Sequence, residues 1–205
     1  MEIERKTIEK DEKYLRQISK EVDFNDISYK EEIVLLENFC LDRGSLALAA
    51  IQIGIPKRMV FIRNTDLDEL ENREHNESRI LINPVIISRK GHTKYWEACA
   101  SCLDYMGLVN RPYEVVIEYF DMDGVKHREK FEGFESTVLS HELDHLDGIL
   151  HMDIAEEILN MPKDERKEFR KEHPYEIISK TCNYNSKTKK LVNKRSWSKW
   201  TKKKG

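Results

Sequence analysis

Long apolar runs are missing from this 205-residue sequence. The longest is Leu46–Ile51, far short of the ~20 residues that a membrane-spanning helix needs. Glycine and proline are scarce, at 8 and 5, which excludes collagen-like and Gly/Pro-rich disordered chains. Net charge is almost absent, at −3, so the composition as a whole points to neither a nucleic-acid binder nor an acidic disordered chain. The opening Met-Glu-Ile-Glu-Arg-Lys lacks the apolar stretch of a signal peptide and is too acidic for an organelle transit peptide. A cytoplasmic chain is therefore expected. Thiols stay reduced there, so the four cysteines, Cys40, Cys99, Cys102 and Cys182, read as ligands, nucleophiles or core residues rather than staples.

What the chain does have is charge. Charged residues make up 36% against ~25% in an ordinary globular protein, and apolar residues 39%. The length suits one domain with an appendage, and is enough to bury a core unaided. The near-zero net charge conceals a split. Lys180–Gly205 holds ten basic residues and no acidic one, which leaves the first 179 residues at −13. This is an acidic body with a basic tail.

Periodicity predicts helices over Glu9–Lys20, with Leu15 and Ile18 on one side, and over Glu31–Leu41, with Ile33, Leu36 and Phe39 at helical spacing and Gly44 as the stop. Leu46–Gly54 is small and apolar. Strands are expected at Arg58–Arg63 and Ile80–Ser88, separated by an acidic loop over Asp66–Glu77. A further strand, Tyr113–Phe120, leads through the turn signal Asp123-Gly124 into Val125–Phe131. Phe134–Leu146 reads as a helix ended by Gly148, and Lys163–Glu172 as a charged helix. Tyr175–Tyr184 and Lys190–Trp197 have the pattern of a hairpin around Asn185-Ser186. The expected class is α+β: antiparallel β-sheets packed around a central helix, with helices at the start and an extension at the C-terminus.

The sharpest chemical signal is His141-Glu142-Leu143-Asp144-His145. Histidines four apart share one helix face and reach a single metal ion, and the intervening Glu142 is then placed to act on a water at that metal. The plain alternative is a chance pair of surface histidines on an acidic helix. It is weakened by the stripe Phe134, Val138, His141 and His145, which carries apolar residues up to the histidines on one face. A catalytic metal keeps three protein ligands and one open position. His151 and Asp153 lie downstream, but too close and in a turn. Upstream, Tyr95–Cys102 offers Cys99 or Cys102, and either would complete a Cys-His-His set suited to zinc or ferrous iron. Cys99-x-x-Cys102 also fits a redox pair or half a zinc knuckle; without a second CxxC in the chain, the knuckle is disfavoured.

At these positions the sequence resembles the peptide deformylase family. Three motifs of that family occur in order: Ser45-Leu46-Ala47-Leu48-Ala49-Ala50-Ile51-Gln52, Glu97-Ala98-Cys99-Ala100-Ser101, and His141 to His145 followed by Leu146 and Gly148. Arg111, twelve residues after Cys99, also fits, as do Leu15-Arg16 and Val22-x-Phe24 near the start. The resemblance runs from about Leu15 to Asp153, and its register selects Cys99 as the thiolate. There are departures. Ser45 and Ala47 stand where the family usually has glycines, Ala98 replaces a glycine, and Leu103 replaces a proline. The added methyl groups would narrow a cleft, but they leave the ligands, Glu142 and Gln52 untouched.

The resemblance implies a catalytic unit over residues 1–160, with 161–205 as a charged extension, a helix and then the basic tail. It implies a metal-dependent hydrolase that removes the N-formyl group from the initiator methionine of newly made polypeptides. Cys99, His141 and His145 would hold one divalent ion, Fe2+ first and Zn2+ or Ni2+ as substitutes. Glu142 would be the general base. The Gln52 amide and the Ala100 backbone N–H would stabilise the oxyanion. Ser45, Leu46 and Ala47 would line an extended peptide, Phe134 and Val138 would wall the methionine pocket, and Glu97 with Arg111 would steady the cysteine strand. Partners would be N-formylmethionyl nascent chains. Residues 180–205, where basic side chains alternate with Tyr184, Trp197 and Trp200, would contact ribosomal RNA or form a solvated extension. Two other readings stay open: a metallopeptidase of the His-Glu-x-x-His kind, and a silent relative that binds RNA through its tail.

Overall fold

Residues 3–63 and 78–184 are described in the computed structural model. The first strong element is helix α2 (Ser28–Asp42), preceded by a single helical turn α1 (Glu12–Leu15). Tyr29, Ile33, Leu36 and Cys40 recur at helical spacing and are all buried. They cover one face of strands β1 (Ala47–Ala49) and β2 (Met59–Ile62) by packing on Leu48, Met59 and Phe61. The opposite face of the same strands, Ala47, Ala49, Val60 and Ile62, packs under helix α3 (Gly133–Leu146) through Leu139, Leu143 and Leu146. Burial on both sides explains why these strands read as continuous apolar runs rather than alternating ones.

The spine of the sheet is β3, a single 20-residue strand over Arg79–Ala98. It pairs antiparallel with β2, with β4 (Tyr105–Arg111), with β5 (Glu114–Phe120) and with β8 (Glu176–Asn183). Strand β6 (Lys126–Glu132) pairs with β5, and β7 (Glu157–Asn160) with β4. Helices α4 (His151–Ile154) and α5 (Arg166–Glu172) complete the described elements. The antiparallel sheet and central helix are those expected. No described helix is long and apolar enough to cross a membrane.

Three expectations change. The helix over Glu9–Lys20 contracts to α1, because the backbone beyond it bonds elsewhere: Ser19 N–H to the Leu146 carbonyl at 2.8 Å and Lys20 N–H to that of Pro56 at 2.9 Å. Leu15 is fully buried, but Ile18 is 73% exposed. Behind this lies Gly148, at φ +68, where a Cβ would stand 2.3 Å from the Arg16 carbonyl oxygen; only glycine admits so close an approach. The strand read as Ile80–Ser88 continues to Ala98. Gly91, at φ +70, bends it so that the Ser179 backbone passes against it. The charged helix starts at Arg166, three residues later than read. The hairpin Asp121–Val125 forms as expected, closed by Asp121 N–H to the Val125 carbonyl. Tyr175–Tyr184 does supply a strand, β8, and it lies along β3. The loop over Asp66–Glu77 and the strand Lys190–Trp197 lie outside the described residues.

Candidate metal centre and active site

Helix α3 looks too polar to be central, yet Leu139–Leu146 is buried without a break. Polar groups go inside only with partners, and here most have one. Ser136 donates to the Pro112 carbonyl at 2.9 Å. Glu142 Oε2 accepts the Ala49 N–H at 2.8 Å. Asp144 accepts from Arg111 Nη1. His141 Nδ1 lies 2.8 Å from Glu97 Oε2. A carboxylate only accepts, so Nδ1 carries the hydrogen and Nε2 is the nitrogen left to face another partner; against the cost of burial, Cys99 and Glu97 push the His141 ring well above its ordinary pKa.

Strand β3 delivers the third donor. Cys99 follows its last residue and opens a 3₁₀ turn over Ala100–Cys102. Its Sγ lies 3.3 Å from His145 Nε2, and one ligating atom from each of Cys99, His141 and His145 falls within 4.8 Å of the others. A hydrogen bond from the Cys102 thiol holds Cys99 well below the ordinary thiol range, with His145 and His141 helping and burial opposing. Cys102, fully buried behind it, is pushed well up by the same bond and by burial. Of the two thiols left open by spacing alone, Cys99 is the one clustered with both histidines. Both are free of disulfides, as are Cys40 and Cys182. A cysteine sulfur beside two imidazoles, one already fixed through a carboxylate, is a donor set that fits a divalent metal ion.

The other expected residues gather on the same cavity of about 370 Å³. Ser45, Leu46, Ala47, Gln52, Glu97, Ala100, Phe134 and Val138 line it together with Cys99, His141 and Glu142. Gln52 Nε2 donates to Ser101 Oγ at 3.1 Å and to Cys99 Sγ at 3.4 Å, while its Oε1 accepts the Ala49 N–H at 3.0 Å. One backbone amide therefore orients both Gln52 and Glu142. Burial raises the Glu142 carboxyl above its ordinary range, although the neighbouring histidines pull the other way.

Arg111 is 1% exposed and reaches Glu97 through two nitrogens, at 2.6 and 2.9 Å, in a bidentate pair. Against the cost of burial, Arg111 holds Glu97 far below the usual carboxylate range. Glu97 thus lies behind His141 as well as on the cavity wall. Asp144 is the other anion on this arginine, a role that sequence reasoning missed although Asp144 sits inside the histidine motif. Also missed were Ser101 as a partner of Gln52, Arg170 on the cavity wall, and the stacking of the His151 ring on that of His141 with centroids 5.5 Å apart. His151 and Asp153, set aside as ligands from spacing, are not among the three clustered donors.

A family model for polypeptide deformylase matches residues 5–160. Among similar proteins, the peptide deformylase of Pelagibacter ubique (strain HTCC1062) is 38% identical over 143 residues, covering 69% of this chain and 80% of that one. The peptide deformylase of Rhizobium meliloti (strain 1021) is 35% identical over 140 residues, covering 68% and 78%. Among solved structures, a peptide deformylase from Synechococcus elongatus in complex with actinonin superposes with a TM-score of 0.67 at 28% identity, covering 83% of this chain and 87% of that one. With the family model spanning more than half the chain and relatives above 30% identity over two thirds of it, the chain belongs to the polypeptide deformylase family.

Proposed function

We propose that this chain is a peptide deformylase, a metal-dependent hydrolase that cleaves the formamide on the initiator methionine of newly made polypeptides to give formate and a free amine. The observation that carries this is the buried Cys99, His141 and His145 cluster with Glu142 beside it on the cavity, in a chain of this family.

Cys99, His141 and His145 would hold the metal. When bound, the ion supplies Lewis-acid polarisation of the formyl carbonyl and makes water more acidic. Glu142 accepts a proton from the attacking water and returns it to the leaving amine; its raised proton affinity brings it closer to the pH at which it must do both. Gln52 Nε2 and the Ala100 N–H donate to the oxygen that gains charge. Glu97 holds His141 in one tautomer and orientation, and Arg111 keeps that carboxylate ionised. The Ser45–Ala47 backbone lines the extended peptide, and Phe134 and Val138 wall the methionine side chain. The native metal is ferrous iron in this reading, with zinc or nickel as functional substitutes for the same ligands. The reaction is placed in the cytoplasm, where the free cysteines stay reduced.

Residues 1–160 form the catalytic unit and 161–205 the extension. Part of that extension packs back on the unit: Arg166 Nη2 donates to the Leu103 carbonyl at 2.7 Å, and Arg170 to that of Trp96. The basic remainder docks on ribosomal RNA, and deleting residues 185–205 tests this. Loss of ribosome co-sedimentation at low salt is expected; unchanged co-sedimentation overturns the docking. The activity itself is tested by offering formyl-Met-Ala-Ser beside an unblocked, internally cleavable peptide to the metal-loaded protein. Formate from the first and no fragments from the second are expected, and fragments alone would establish a metallopeptidase instead.

A further inference from the structure

Two carboxylates, Glu97 and Glu142, and two guanidiniums, Arg5 and Arg170, line the cavity. The two carboxylates are buried and already committed, Glu97 to Arg111 and His141, Glu142 to the Ala49 N–H. The two arginines are half-exposed, and neither makes an ion pair among the described residues. Arg5 donates from Nη2 to Ser45 Oγ at 3.2 Å, and its guanidinium lies over the Phe39 ring at 5.4 Å. Arg170 donates from Nε and Nη2 to the Trp96 carbonyl, at 3.3 and 3.1 Å, and lies over the Tyr95 ring at 5.2 Å. A guanidinium has five N–H donors, so both keep several free. Their aromatic and hydrogen-bonded seats restrict the side chains beforehand, which lowers the entropy cost of a further contact.

The two also stand on different walls. Arg5 is tied to the segment leading into β1, Arg170 to the end of β3. An extended peptide between these walls presents successive side chains to opposite sides. In a body that carries −13 before its basic tail, these two guanidiniums put positive charge at the mouth of the cavity. We propose that Arg5 and Arg170 are specificity-determining residues, which make formylated chains with Asp or Glu at the second or third position better substrates than those with Lys or Arg. The proposal rests on the deformylase reading and extends it to the residues after the methionine.

The test compares kcat/KM for formyl-Met-Glu-Ala-amide and formyl-Met-Ala-Glu-amide with their Lys counterparts, beside the neutral formyl-Met-Ala-Ser-amide. The amide end removes a terminal carboxylate that the arginines would also bind. At low salt we expect at least one Glu peptide to exceed its Lys partner about five- to tenfold, chiefly through KM. In the unmodified protein the ratio should fall toward one by about 0.5 M salt. Arg170→Gln and Arg5→Gln should each reduce it, with Arg170→Lys restoring part of it. Equal Glu and Lys rates at low salt, with the neutral peptide hydrolysed, overturn the proposal while leaving the deformylase reading intact; so does a preference that neither glutamine variant alters. If the neutral peptide yields no formate, the deformylase reading fails and the preference falls with it.

Discussion

His151 is an imidazole buried to 1% exposure with no hydrogen bond to either ring nitrogen among the described residues. Burial lowers its pKa from 6.5 to about 4, so it stays neutral in the folded chain. The unfolded chain binds a proton there below its ordinary pKa and the folded chain does not, so this residue withdraws stability as pH falls from 6.5 toward 4. A ring of similar shape without titratable atoms removes that loss. His151→Phe in the metal-free protein should therefore raise the melting temperature, and raise it more at pH 5, where the proton difference is worth about 2 kcal/mol, than at pH 7. An equal gain at both values would show that the gain comes from packing alone. Cys99 is the opposite case, a buried group whose charged form is favoured because a thiol, two imidazoles and the Gln52 amide converge on it.

At the scale of elements, one buried cation ties α3 to the sheet beside its apolar packing. Arg111 on β4 joins Glu97 on β3 to Asp144 on α3. Two buried carboxylates on one guanidinium are tolerable only while it is there. Arg111→Met should destabilise the protein by about 3–5 kcal/mol in denaturant unfolding and weaken metal retention by about 10–100-fold, since Glu97 also orients His141. A change under 1 kcal/mol would show that the triad is not what seats the helix. The histidine pair and its apolar stripe were legible because a helix puts residues four apart on one face, so four positions state the geometry. The function of Asp144 was not, because its partner comes from a strand 33 residues earlier in the chain and no local pattern announces it. The strand expected over Ile80–Ser88 runs on because β5 pairs with Arg89 and Lys90 and β8 with Lys90 and His92, partners that no local pattern in Arg89-Lys90-Gly91 announces. The opening helix was overextended because Glu9–Lys20 is helical by local preference, and bonds to Leu146 and Pro56 overrule that preference. Arg5 and Arg170 lie in charge-rich stretches where one arginine resembles another until the fold sets both on the cavity.

At the scale of the molecule, the proposed ligands come from separate parts of the chain: Cys99 at the end of the long strand, His141 and His145 on the central helix. A ligand that binds only the folded chain stabilises it by mass action. Removing the metal with a chelator should lower the melting temperature by about 5–10 °C if the ion was present near a hundred times its dissociation constant, and adding back one equivalent should restore it. No shift would mean that the cluster folds without needing an ion. The central claim, that Glu142 on a Cys-His-His metal removes formyl groups, is tested most directly by formate release from formyl-Met-Ala-Ser. Anaerobically metal-loaded wild type and Glu142→Ala would be compared at equal metal content. The account predicts formate from the wild type and a rate lower by about 10²–10⁴-fold in the variant. Absence of formate from the loaded wild type, or equal rates in the two, would contradict it.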